Sequence, residues 1–226
     1  MTHSFIPVIA IDGPGASGKG TIAHRVATAL GWHCLDSGAL YRIVGVVAQQ
    51  RGIAWTDEEA LVTLAGSLDI RFEQDQVWVD QVDLEDAIRG EEAGAAAAAV
   101  GQLPGLRTAL LQRQRDFARL PGLVADGRDM GTVVFPAAPV KVYLTATAEA
   151  RAERRYKQLI NKGKTASLPD LLEDIRARDD RDMNRAVAPL RPADDALVID
   201  STNMGIEAVT DAVLALAAER GVSVAS

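Results

Sequence analysis

Val8-Ile9-Ala10-Ile11-Asp12-Gly13-Pro14-Gly15-Ala16-Ser17-Gly18-Lys19-Gly20-Thr21 decides how the rest of the chain is read. Its first half is a short apolar run rich in β-branched residues, the pattern of a buried strand. Its second half is a glycine-rich loop. Beyond it Ile22, Ala23, Val26, Ala27 and Leu30 recur at helical spacing. Strand, loop and helix in that order are what a phosphate-binding loop requires. Glycines let backbone N–H groups surround an anion, the helix N-terminus adds positive potential, and Lys19 supplies a full charge. The loop departs from Gly-x4-Gly-Lys-Ser/Thr at one place: Gly20 stands where the hydroxyl is expected, and Thr21 follows. The bland alternative is a βα turn without a ligand. The register of strand, lysine and helix argues against it.

Working outward, Gly31 stops the first helix. Trp32–Leu35 reads as a second strand, and Asp36-Ser37-Gly38 caps a helix from about Ala39 to Gln50. Thr56-Asp57-Glu58-Glu59 has the form of a capping box opening a helix to about Ala65. At Leu68 the texture changes. Leu68–Phe72 and Val77–Val79 alternate around Gln74-Asp75-Gln76, which predicts an antiparallel hairpin, with Val82 and Leu84 as a third short strand. Residues 66–102 therefore read as an insertion, closed by a tightly packing helix over Gly94–Val100. The core is expected to comprise 1–65 and 103–226. Pro104 fits the first turn of the next helix, to about Leu120.

Leu123–Ala125, Val140–Leu144 and Ala196–Asp200 are further apolar runs, separated by helices over about Ala148–Asn161, Pro169–Asp182 and Ile206–Arg220. Five short strands alternating with helices predict an α/β fold: a parallel sheet covered on both faces. Ligands of such sheets lie beyond the strands' carboxyl ends, where Asp12, Asp36, Asp126 and Asp129 are expected to converge.

Bulk properties narrow the class. The 226 residues suffice for one α/β domain with an insertion. The net charge of −7 argues against a nucleic-acid partner. The single cysteine, Cys34, allows no intrachain disulfide and suits a reducing cytosol. The N-terminus lacks the basic segment of a signal peptide, and no run approaches the ~20 apolar residues of a membrane span. His24 and His33 read as packing or surface residues.

Residues 151–185 hold ten Lys/Arg against seven Asp/Glu, inside an acidic chain. Two solvated helices with i,i+4 pairs would explain this, as would a mobile lid whose arginines close over phosphates; beside a phosphate loop the lid is preferred. Arg42 and Arg128 follow strand-end loops and could grip phosphate oxygens in the two-pronged way that lysine cannot.

Four stretches together resemble the bacterial cytidylate kinases: Gly13–Thr21; Leu35-Asp36-Ser37-Gly38-Ala39-Leu40-Tyr41-Arg42; Asp126-Gly127-Arg128-Asp129-Met130-Gly131-Thr132-Val133-Val134-Phe135-Pro136; and Arg178-Asp179-Asp180-Arg181-Asp182-Met183-Asn184-Arg185. The Gly-Lys-Gly-Thr ending is common among nucleoside monophosphate kinases. The resemblance implies a P-loop kinase core, an enlarged monophosphate-binding insertion and a short lid. It implies ATP with Mg²⁺ as donor and CMP or dCMP as acceptor, in a cytoplasmic monomer. Gly13, Pro14, Gly15, Ala16, Ser17, Gly18, Lys19, Gly20 and Thr21 would hold ATP. Arg42, Arg128 and Arg185 would hold the acceptor phosphate. Ser37, Arg178 and Asp182 would lie near the sugar, and Arg107 and Asp129 would read the cytosine. Ala98 falls where the family pattern has a base-contacting serine.

The chemistry expected is in-line transfer of the γ-phosphoryl group. The acceptor oxygen is already anionic, so positioning and charge neutralisation suffice. Arg154, Arg155 and Arg181 are the lid candidates for neutralising the migrating group. Asp126 is a candidate for orienting the water shell of Mg²⁺. The rivals are a kinase of the same build acting on UMP, AMP or shikimate, a nucleotide-dependent switch and a nucleic-acid binder. A guanine-reading Asn-Lys-x-Asp motif is approached only by Asn161-Lys162-Gly163-Lys164, which lacks the aspartate.

Overall fold

The computed structural model describes residues 6–73 and 76–222. It separates into two compact units, one formed by residues 1–35 with 117–226 and the other by 36–116. The second unit is wider than the segment 66–102 marked by the change of texture. The helices before and after that segment belong to the same unit.

The larger unit is built on strands β1 (Val8–Asp12), β2 (His33–Asp36), β6 (Leu123–Gly127), β7 (Val140–Thr145) and β8 (Leu197–Asp200). They form one sheet in the order β2-β6-β1-β7-β8. β1 pairs in parallel with β6 and β7, and β7 with β8. Every residue of β1 and β6 is buried, as a strand covered on both faces requires. Helices α1 (Lys19–Leu30) and α9 (Ile206–Glu219) pack on the sheet. Ile22, Val26 and Leu30 of α1 join Ile9, Ile11, Val124, Val142, Val209 and Val213 in one apolar core. Gly31, at φ 66°, ends α1 as its position predicts. Helices α7 (Ala148–Asn161) and α8 (Leu168–Asn184) complete the unit, each opened by a hydroxyl cap, Thr147 and Ser167. A feature absent from the sequence reading is the single turn of π-helix at Met130–Val134, directly after β6.

The second unit holds α2 (Ser37–Gln50), α3 (Glu58–Ser67), β3 (Ile70–Glu73), β4 (Gln76–Val79), β5 (Val82–Asp83), α4 (Glu85–Ile88), α5 (Glu91–Val100) and α6 (Pro104–Arg115). The three strands form the expected antiparallel sheet, in the order β3-β4-β5. Of the expected turn Gln74–Gln76, Gln74 and Asp75 lie outside the described residues. Asp80 and Gln81, at φ 48° and 69°, make the two-residue turn between β4 and β5, the geometry that matches strand twist.

Three expectations need correction. Asp57, not Thr56, caps α3: its side chain accepts from Ala60 N at 3.1 Å, so the capping box does not form. Leu84 is not in a strand; its amide returns to Val77 O, and its carbonyl accepts from Ile88 N to open α4. Helix α6 ends at Arg115, five residues before Leu120.

The alanine-rich stretch is the helix α5, and its small side chains serve close approach. A Cβ on Gly45 of α2 would lie 2.6 Å from Ala96 Cβ, whereas one on Gly94 would meet nothing within 4 Å. Gly45→Val is therefore expected to destabilise the protein by about 1–3 kcal/mol through overpacking. Gly94→Ala should stabilise it by about 0.5–1 kcal/mol through helix propensity. Urea denaturation checks both; equal effects would refute the packing assignment.

Candidate functional site

Within the larger unit, the loop between β1 and α1 has a fixed and unusual backbone. Gly13 sits at φ 154°, and a Cβ there would lie 2.1 Å from Leu144 O, so only glycine fits. Gly18, at φ 92°, precedes α1 and offers no side-chain cap, which leaves the helix N-terminus to an anion. Three loop carbonyls are each taken by a cation. Lys19 Nζ donates to Pro14 O at 3.1 Å, Arg151 Nη1 to Gly15 O at 3.1 Å and Arg154 Nη1 to Ser17 O at 3.2 Å. Carbonyls engaged in this way leave the loop amides for an anion. The Ser17 hydroxyl is buried with no hydrogen-bond partner among the described residues, the kind of orphan that a bound anion satisfies.

The carboxylates follow from strand register. Asp12, last in β1, accepts from Met130 N at 2.7 Å and Gly131 N at 2.8 Å. It thereby pins the π-turn that follows β6. Burial pushes its carboxyl up to about 6, against those two amide bonds, which favour the charged form. Asp126 of β6, paired in register with Ile11, brings Oδ2 to 3.8 Å from the place of a Cβ on Gly20. Asp129 is buried, with Arg185 Nη2 3.9 Å from its Oδ1. These three gather at the strands' carboxyl ends as expected. Asp36 is used differently: it caps α2 through Ala39 N and pairs with Arg89 at 3.1 Å, so its carboxylate is structural.

Helix α8 supplies the facing charges. Arg128 Nε donates to Asp182 Oδ2 at 2.8 Å. Burial alone would raise the Asp182 carboxyl, but Arg128, with Arg178 and Arg185, holds it below the usual carboxylate range. Arg128 Nη2 and Arg178 Nε lie 3.6 and 3.8 Å from the point a Cβ on Gly15 would occupy. Arg178, assigned through the resemblance to the sugar, thus stands beside the loop. Of the lid candidates, Arg154 is bound to the loop and to Ser201, Arg155 hydrogen-bonds Gln158 of its own helix, and Arg181 is exposed. Arg185 Nε also donates to Ala188 O.

The second unit carries the other candidates. Ser37 is buried in the first turn of α2. Arg42 donates to Ile88 O at 3.3 Å. Arg107 is buried, donates to Gly101 O at 3.2 Å, and places its guanidinium 5.5 Å from the Tyr41 ring centroid. Ala98 is half-buried on α5.

Two residues escaped the sequence reading. Arg151 is buried and forms a two-pronged ion pair with Asp179, with Nη1 to Oδ1 at 3.0 Å. Ser201, just past β8, donates to Thr145 O at 3.0 Å and receives Arg154. The signal for Arg151 was its place, seven residues after the Leu144 strand end and three before Arg154. It was hidden by being one of ten cations in that segment.

Among the described residues no helix is long and apolar enough to cross a membrane. The family model for cytidylate kinase matches residues 9–219. A cytidylate kinase of Bordetella bronchiseptica is 58% identical over 92% of this chain and 93% of its own length. One from Chromobacterium violaceum is 54% identical over 92% and 94%. One from Pseudomonas aeruginosa is 53% identical over 94% and 95%. Among solved structures, an uncharacterized protein from Eubacterium ventriosum shares the fold, with a TM-score of 0.53, 11% identity and coverage of 95% of this chain and 99% of that one.

The elevated Asp12 carboxyl has a measurable sign. The native state keeps this proton between the ordinary 3.8 and about 6, where the unfolded chain has lost it. Its contribution to stability therefore falls as pH rises through that window and is level above it. Asp12→Asn removes this component. The wild-type unfolding free energy should decline relative to the variant's between those two values; a constant difference would contradict the assignment.

Proposed function

The chain belongs to the cytidylate kinase family, and from that premise we propose that it transfers the γ-phosphoryl group of ATP to CMP and dCMP, giving ADP and the corresponding diphosphate. The observation that carries this reading is the loop Gly13–Thr21, with carbonyls held by Lys19, Arg151 and Arg154 and an orphaned hydroxyl at Ser17. Such a loop suits a polyphosphate. The amides and Lys19 would bind the β- and γ-phosphates.

On the acceptor side, Arg128 and Arg185 are the larger unit's candidates for the monophosphate, with Asp182 fixing Arg128 and Asp129 the candidate for reading the base. Arg178, beside Gly15, fits a role near the phosphates as well as the sugar. Ser37, Arg42 and Arg107, which lie in the second unit, are candidates through the resemblance alone. The acceptor phosphate oxygen is anionic throughout, so no strong base is required. The guanidinium groups neutralise charge, hold the reactants in line and exclude water. Within α7 and α8 the lid would be the part away from the Arg151–Asp179 pair, which stays tied to the phosphate loop, with Arg155 and Arg181 able to turn inward on closure.

Mg²⁺ fits this donor set. It keeps much of its water shell beside phosphate oxygens, and Asp126, whose Oδ2 lies 3.8 Å from the place of a Cβ on Gly20, would orient that shell through water rather than as a direct ligand. When bound it would screen the charge between the β- and γ-phosphates. The protein is read as a monomeric, cytoplasmic enzyme acting on free nucleotides, with no nucleic-acid partner.

Lys19→Ala should abolish ADP formation while the circular dichroism spectrum remains that of the folded protein, with a lowered melting temperature because Pro14 O loses its donor; near-normal turnover would overturn its role. Asp129→Ala should blunt the preference for CMP over UMP by at least about tenfold, as expected for a lost hydrogen-bonding group in a buried site. Competition between the two monophosphates measures it, and an unchanged ratio would remove Asp129 from base recognition.

A further inference from the structure

Arg151 has been given no role of its own above, yet its four described side-chain hydrogen bonds reach three separate parts of the larger unit. Its Nε donates to Ala146 O at 3.0 Å, at the end of the β7 connection. Its Nη1 donates both to Gly15 O of the phosphate loop at 3.1 Å and to Asp179 Oδ1 of α8 at 3.0 Å, and its Nη2 donates to Asp179 Oδ2. The side chain is 5% exposed and that of Asp179 12% exposed, so the pair is held in a low dielectric. Asp179 is the neighbour of Arg178, whose Nε lies 3.8 Å from the place of a Cβ on Gly15. Three residues on, the same helix carries Asp182, the partner of Arg128.

We propose that Arg151 is a positioning residue that locks α8 to the phosphate loop, setting Gly15 and Arg178 in register with each other. This rests on the phosphoryl-transfer reading above. Four of the five guanidinium N–H groups of Arg151 are engaged by Asp179 and backbone carbonyls, so its action is indirect. Its effect passes through the loop backbone on one side and through α8 on the other. Displacement of either by about 1 Å is enough to cost on the order of 10²-fold in rate. Lysine cannot substitute, because a single ammonium cannot hold a carboxylate in two-pronged fashion while also reaching Gly15 O and Ala146 O.

Breaking a buried pair from one side leaves an uncompensated charge and destabilises, whereas replacing both partners with apolar residues often does not. That difference makes the proposal testable apart from folding. The variants are Arg151→Lys, Asp179→Asn and the double replacement Arg151→Met with Asp179→Leu, each followed by melting temperature, kcat, KM for ATP and KM for CMP. The double variant should melt near the wild-type temperature and still lose about 10²-fold in kcat, with KM for ATP raised more than KM for CMP. Arg151→Lys should fold and show the same kinetic loss. Recovery of kcat and KM together with the melting temperature in the double variant would make the pair a stability element only and overturn the proposal, as would wild-type kinetics in Arg151→Lys. Failure of the wild-type protein to phosphorylate CMP would instead refute the functional reading. The lock would then be judged by amide hydrogen exchange at Gly15–Lys19, which should quicken in the folded double variant if the proposal holds and stay unchanged if it does not.

Discussion

The structure depends on turning a buried strand into a helix through a loop whose polar backbone must face an anion rather than itself. Backbone carbonyls and amides compete for the same space in so tight a turn. Here the competition is settled by cations: Lys19, Arg151 and Arg154 each bind one loop carbonyl. The amides are left to converge, and the helix N-terminus adds its own positive end. Gly13 is packed against Leu144 O so closely that the loop cannot drift toward β7. The loop is thus braced from below by the sheet and from outside by α7.

The same economy of partners runs through the surrounding charges. Asp12 is buried at a position where a carboxylate is costly, and it is retained by two amides of the π-turn. That turn in turn carries the chain from Arg128 and Asp129 into the Val133-Val134 packing. Lys141 holds the far end of the segment, donating to Pro136 O at 2.7 Å and to Asp195 at 2.9 Å. Arg128 and Asp182, and Arg151 and Asp179, fix α8 by its charged face. Removing one member of such a pair leaves a buried charge, so Asp179 and Asp182 each need the arginine that faces them.

Much of this was legible in the sequence because local rules and tertiary structure agree. Short apolar runs became β1, β6 and β7, and Gly13 and Gly18 stand where close approach and positive φ demand a glycine. Asp57 displaced Thr56 as the cap of α3 because either side chain satisfies the local rule and only the path of the entering chain decides. Leu84 was lost from its strand because a two-residue β5 leaves it to open α4. Arg151 was invisible as an individual because its partners, Gly15 and Asp179, are 136 and 28 positions away. No local pattern reports a contact of that range. The extent of the second unit was hidden for the same reason: α2, α3 and α6 have ordinary amphipathic faces, and nothing in them says which neighbour they cover.

The central claim is that this braced loop receives ATP and that the acceptor is a cytidine monophosphate. The most direct measurement is the initial rate of ADP release with ATP and Mg²⁺ against CMP, dCMP, UMP, AMP and shikimate in turn. The account predicts acceptor-dependent release that is fastest with CMP and dCMP. Release that does not depend on a cytidine monophosphate, or that is faster with AMP or shikimate, would contradict it.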